Sequence, residues 1–262
     1  MKVLVTDGDE RAALAVTRSL GRQGIEVVVG AMQIPSLAGV SCYCTESFVS
    51  PSPVTNPDGY VASLLNVVRG KNIGMIFPIT DLATTLVGAA RAQFEPAVKL
   101  PIPPMTSYKR LSDKYALMQL ATQLQVPIPD TVFVPAGGLT DALLGQVSAY
   151  PVVVKPACSM VHVGGVWIKT AVHHARTREE LQRLYRDITY LAEPSMIQRR
   201  VHGEGQGVFA LMDRGAPIAI FAHRRLREKP PSGGVSVLRE SMAVPKPLAD
   251  DALRLLEAVD WH

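Results

Sequence analysis

Aromatic residues are scarce in this chain of 262, at 6%. Single-stranded nucleic acid is gripped by aromatics interleaved with basic side chains, so that class of partner is disfavoured. The net charge of +4 is modest. Its basic runs, 176–186, Arg199-Arg200 and 224–229, fit solvated helix faces and a pocket for small anions better than a nucleic-acid surface. Cysteine is rare: Cys42, Cys44 and Cys158 cannot all pair with one another. No second pair or nearby histidine completes a zinc site around Cys42 and Cys44, so reduced thiols in a cytoplasmic compartment are expected. No apolar run approaches the ~20 residues that span a bilayer. Met1-Lys-Val-Leu-Val-Thr6 enters a strand with no basic-then-apolar leader, and no membrane partner is expected. The spaced glycines of a dinucleotide fingerprint are missing around Asp7-Gly-Asp9, and Val29-Gly30 ends a strand without an acid for a ribose. Both points argue against NAD.

What remains is a composition with 47% hydrophobic and 19% charged residues, which means a folded protein with room for two domains. Apolar runs at 2–6, 25–29 and 73–77 read as strands. Between them lie helices: one carrying Ala12, Ala13, Val16 and Leu20, with Asp9 as its cap, and one opened by Asn56-Pro57. A third helix follows Thr80-Asp81, residues better read as caps than as substrate contacts. This alternation predicts an α/β fold with a parallel sheet covered on both faces. The proline-rich stretch 96–104 is the best linker. Beyond it, Ser112 is read as the cap of a helix, Thr131–Val134 as a strand, and Thr177-Arg-Glu-Glu180 as a capping box. Closely spaced runs at 196–199, 207–212, 218–224 and 235–243 predict antiparallel strands before a last amphipathic helix.

The chemistry gathers on Lys155. In Tyr150-Pro-Val-Val-Val-Lys-Pro156 a buried strand ends in one cation, and a polar loop with Gly164-Gly165 and a second strand, Val166–Lys169, follow. With Lys114, in Ser112-Asp-Lys-Tyr115, this makes a cover for nucleotide phosphates. Taken alone, Lys155 is a snorkelling lysine and Lys114 an exposed first-turn residue, although a cation there opposes the helix dipole. His173-His174 reads as exposed. His223 reads equally as a ligand contact or a half-buried hydrogen-bonded histidine, and 230–234 as a hairpin connection.

In their order and spacing over roughly residues 108 to 262, five segments resemble the ATP-grasp enzymes, in the branch of the carbamoyl phosphate synthetase large subunit and biotin carboxylase. They are Asp113-Lys114, Val126-Pro-Ile-Pro129, Pro151-Val-Val-Val-Lys-Pro156, Met196-Ile-Gln-Arg-Arg-Val-His-Gly203 and Phe221-Ala-His-Arg-Arg225. The resemblance implies a Rossmann-like domain over 1–104, an ATP-grasp N-terminal subdomain over 105–195 and a partial C-terminal subdomain over 196–262. It implies ATP and Mg2+ as cofactors and a carboxylate–amine or carboxylate–thiol ligase that works through an acyl phosphate. Lys114 and Lys155 would contact the phosphates, and the loop from Ser159 through Gly164 and Gly165 would close over them. The hinge Gln198, Arg199 and Val201 would face the adenine, and Glu204 the ribose. Arg224 and Arg225, on a strand facing the same cleft, would neutralise the transferring phosphoryl group or hold a carboxylate. Small carboxylate and amine substrates are the implied partners, and a second copy of the chain is admitted. Relatives carry their metal-binding acids on strands after a helix like 250–259, where this chain ends. A partial domain that binds ATP without turning it over is therefore expected, with a non-catalytic nucleotide sensor as the alternative.

Overall fold

Runs such as Lys2-Val-Leu-Val5 and Glu26-Val-Val-Val-Gly-Ala31 present apolar side chains on both strand faces, so each must be covered twice. The computed structural model describes residues 1–163, 166–229 and 234–262. They divide into two units, one over Met1–Met105 and one over Thr106–Val163 and Ile168–His262. In the first, β1 (Lys2–Val5), β2 (Glu26–Ala31), β3 (Glu46–Val49) and β4 (Ile73–Phe77) form a parallel sheet in the order β3-β2-β1-β4. Val3, Val5, Val27 and Val29 pack on one face with Ala13 of α1 (Arg11–Arg22). Leu4 and Val28 pack on the other with Leu64 of α2 (Pro57–Lys71) and Val87 of α3 (Asp81–Ala89). Each such burial contributes roughly 1.5–3 kcal/mol.

Local chemistry sets the helix starts. Asn56 Oδ1 accepts the Gly59 N–H at 2.9 Å, and Thr80 Oγ1 accepts the Ala83 N–H at 3.1 Å. Glu10 stands at the start of α1 with no side-chain cap, so the expected cap by Asp9 does not form. Asp7 adopts the left-handed conformation at φ 55°, and its carboxylate accepts the Ile79 and Thr80 N–H groups at 3.3 and 3.1 Å. That bond set joins the end of β1 to the start of α3. The stretch 96–104, expected as a linker, is instead built into this unit after the short α4 (Arg91–Phe94). Lys99 exchanges backbone hydrogen bonds with Gly74 and Ile76, and Val98, Leu100 and Ile102 alternate into the core.

The second unit begins with α5 (Met105–Ser112) and α6 (Lys114–Gln123). The cap of α6 is Asp113, whose Oδ1 accepts the Tyr115 and Ala116 N–H groups at 2.8 and 3.0 Å, and not Ser112, the last residue of α5. Then follow β5 (Thr131–Val134), α7 (Asp141–Leu144), β6 (Val152–Pro156), β7 (Met160–Val163), β8 (Val166–Lys169), β9 (His173–Ala175), α8 (Arg178–Asp187) and β10 (Ser195–Arg199). An antiparallel sheet runs β5-β10-β6-β9, and β7 pairs with β8. Thus β10, which opens the expected 196–262 segment, lies between β5 and β6. One face of this sheet buries Val134, Val152, Val154 and Ile197 against Leu144, Leu181 and Leu191. The chain continues through β11 (Gln206–Asp213), β12 (Ala216–Lys229) and β13 (Val235–Met242), a three-stranded antiparallel sheet, to α9 (Lys246–Glu257), which packs on β11. Among the described residues no helix is long and apolar enough to cross a membrane, and the cysteines form no disulfide.

Candidate functional site

Strand alternation divides β6 into two sets of side chains. Val152 and Val154 enter the core, so Val153 and Lys155 point to the opposite face. The ladders put Met196 beside Lys155, and Gln198 and His174 on either side of Val153. On this face opens a cleft of about 670 Å³, within the range of small-ligand sites. Lys155, His174 and the run Gln198–Val201 line it from one side, and Arg225, Glu228 and Lys229 of β12 from the other.

Burial pushes the Lys155 ammonium below the ordinary lysine range, and the charge of Lys114 lowers it further. Lys114 is held at the start of α6: its N–H donates to the Ala157 carbonyl at 2.7 Å and its Nζ to Ser159 Oγ at 3.1 Å. Neither lysine makes an ion pair among the described residues. Two like charges, one half-buried, therefore stand near each other without a neutralising acid, an arrangement that an anion would relieve.

The hinge is partly committed. The Arg199 and Arg200 N–H groups donate to the Asp130 and Pro151 carbonyls at 2.9 and 3.4 Å, and Arg199 Nε pairs with the Asp130 carboxylate at 2.9 Å. Val201, 64% exposed, makes no backbone hydrogen bond among the described residues. The Gln198 side chain is buried, and its Nε2 donates to Thr131 Oγ1 at 3.0 Å. The side-chain amide is thereby tied to β5.

The structure separates the two arginines. Neighbours on a strand face opposite ways, so Arg225 lines the cleft while Arg224 points to the other face, and the expectation that both face one cleft is corrected. Arg224 pairs with Glu240 and, at 3.8 Å, with Glu204; Glu240 holds the guanidinium above its ordinary range. Glu204 also accepts the Gln206 Nε2 at 2.9 Å and does not line the cleft. Arg225 Nη1 donates to Glu228 Oε1 at 3.1 Å and to the Gly234 carbonyl at 3.3 Å. Lys155, Gln198, Arg199, Val201 and Arg225 are thus brought to one cleft, with Lys114 and Ser159 joined beside it. Gly164 and Gly165 lie outside the described residues.

His174 and Glu228 were not among the sequence candidates. His174 stands on the three-residue β9, too short to show a period-2 pattern, and only its pairing with Val153 turns it to the cleft. Glu228 sits in a run of charges that reads as solvated surface. Its carboxylate accepts both Arg225 and the Gly234 N–H, at 3.1 and 3.2 Å.

No family model and no curated protein matches the sequence. Solved structures do match. Biotin carboxylase from Campylobacter jejuni, in complex with β,γ-ATP, superposes with a TM-score of 0.73 at 14% identity, over 100% of this chain and 60% of that one. The L-amino acid ligase from Bacillus licheniformis gives 0.66 at 12% identity, over 98% of this chain and 60% of that one. The biotin carboxylase domain of 2-oxoglutarate carboxylase from Hydrogenobacter thermophilus, a dimer with MgADP and bicarbonate, gives 0.69 at 17% identity, over 100% and 58%. Such identities speak for the fold alone. The architecture is similar to that of these three enzymes across this chain, which spans about three-fifths of their length.

Proposed function

We propose that the second unit binds ATP or ADP in the cleft at Lys155, and that the protein is an ATP-dependent carboxylate–amine or carboxylate–thiol ligase acting through an acyl phosphate. The observation that carries this reading is the pair Lys155 and Lys114, without an acid partner among the described residues, with Lys155 lining a cleft together with Val201, whose backbone is unpartnered among those residues. The lysines suit the phosphates as point charges, and the Val201 backbone and Gln198 amide oxygen suit the adenine edge. Arg225 suits the far end, where charge builds on a transferring phosphoryl group. The β,γ-ATP, MgADP and bicarbonate bound in the superposed enzymes fit the same reading. Placement in the carbamoyl phosphate synthetase and biotin carboxylase branch, the subdomains 105–195 and 196–262, and action in the cytoplasm belong to the proposal as well.

Magnesium is a different matter. Among the described residues no group of three or more His, Cys, Asp or Glu is placed to hold a metal ion. A magnesium ion held chiefly by the phosphates of a bound nucleotide needs only one or two carboxylates besides, so no such group is required for it. The alternative reading is a nucleotide-binding sensor without turnover.

Titration calorimetry with ADP tests the binding. The expected result is saturable binding that Lys155→Ala weakens by about 10- to 100-fold and NADH does not reproduce. Equal affinity in Lys155→Ala, or a preference for NADH, would overturn it. ADP formation from ATP, magnesium and a carboxylate–amine mixture distinguishes ligase from sensor.

A further inference from the structure

A separate cavity of about 360 Å³ opens on the three-stranded sheet. It is lined by Phe209, Phe221, His223, Arg239, Glu240 and Ser241. The ladder explains the grouping: Phe209 faces Phe221 across β11 and β12, and His223 faces Ser241 across β12 and β13. Gly207 stands opposite His223, and a side chain there would meet His223 Nε2 and the Phe209 ring, each 3.3 Å from its first carbon. The small residue therefore lets the rings settle, with Phe209 and His223 centroids 5.0 Å apart and Phe209 and Phe221 6.1 Å apart.

Charge decides what such a cavity takes. His223 is buried, yet both phenyl rings are 51% exposed, an open aromatic shelf. The acid in this lining, Glu240, is committed to Arg224 on the opposite face of the sheet. The Arg239 side chain makes no ion pair or hydrogen bond among the described residues. An unpaired guanidinium beside two aromatic faces offers a bidentate seat to a carboxylate and an apolar bed to the body behind it.

We propose that this cavity binds a small carboxylate with an aromatic or bulky apolar body, by ion pairing to Arg239 and packing on Phe209 and Phe221. Because Arg225 shares the sheet face with Phe221 and His223, the bound molecule is the carboxylate substrate. That last identification rests on the ligase reading; the binding itself does not.

Ligand-observed NMR without nucleotide tests it, using 3-phenylpropionate as the probe, with 3-phenylpropionamide and acetate as controls. The acid is expected to bind at least about ten-fold more tightly than either control, and Arg239→Gln is expected to cost a similar factor. Gly207→Val, which fills the cavity and suits a strand, is expected to abolish probe binding while circular dichroism and ADP affinity stay as in the parent protein. Equal binding of acid and amide, or an unchanged affinity in Arg239→Gln, overturns the proposal. Loss of ADP binding with retained probe binding would sink the nucleotide reading and leave this one standing.

Discussion

The two antiparallel sheets of the second unit treat their side chains in opposite ways. The four-stranded sheet buries one face against α7 and α8 and keeps Lys155, like nearby Lys114, without an acid partner among the described residues. The three-stranded sheet pairs two of its arginines, Arg224 with Glu204 and Glu240 and Arg225 with Glu228, leaves Arg239 without an ion pair among the described residues, and leaves Phe209, Leu211, Ile218 and Phe221 at least half exposed. Stability is therefore concentrated in the first sheet, where apolar area is removed from water. Binding energy is divided. An unpaired, half-buried cation has lost hydration without compensation and gains most from an incoming anion, whereas a paired arginine must first be released.

The largest effect should come from the packed face. Leu181 of α8 is fully buried against β6 and β10, so Leu181→Ala is expected to cost about 2–5 kcal/mol in urea unfolding. A loss below about 1 kcal/mol would mean that α8 is not the element holding this sheet.

Next comes the cation contrast. Lys155→Ala is expected to weaken ADP binding by about 10- to 100-fold, the worth of a charge-assisted hydrogen bond to phosphate. Arg224→Gln, on the far face and exposed, should leave the affinity unchanged. If the two variants weakened binding equally, the division between paired and unpaired cations would collapse.

A smaller effect follows from the depressed Lys155. Its folded pKa lies below its unfolded one, so the unfolded state binds more protons between the two values. The destabilisation is fully present below the folded pKa and fades as pH rises through it. Bound phosphate restores the charged form, so nucleotide binding should take up a fraction of a proton on the alkaline side of neutrality. Calorimetry in buffers of different ionisation enthalpy reads this directly, and proton release would contradict the assignment of Lys155 as the phosphate contact.

Much of this was legible in the sequence, for stated reasons. Val152 to Lys155 shows a buried strand ending in a charge, and Asn56-Pro57 and Thr80 carry their caps in their chemistry. Less visible were the elements whose identity depends on their neighbours. β3, β7 and β9 are three or four residues long and hold no period of their own. The stretch 96–104 has the prolines of a linker, yet its alternate apolar residues find the core beside β4. The two arginines are adjacent in sequence and so necessarily diverge on a strand, a parity argument that was open to sequence reasoning once β12 was drawn as a strand. The commitment of Glu240 to Arg224 was not, because it comes from the register of β13 on β12.

The smallest expected effect tests the exposed face most sharply. Leu211 is 61% exposed on β11, on the same face as Phe209 and away from the ring contacts around His223. Leu211→Thr keeps a strand-favouring side chain and removes apolar surface that is already in water, so the unfolding free energy should change by no more than about 0.5 kcal/mol. Solubility should rise, because one member of an exposed apolar patch is gone. A loss above about 1.5 kcal/mol would show that water does not cover this face in solution. The contrast between a packed sheet and an open one would then be a contrast between two packed sheets. A concentration-dependent loss would identify a second copy of the chain as the cover, and a concentration-independent one would place the cover within the chain itself.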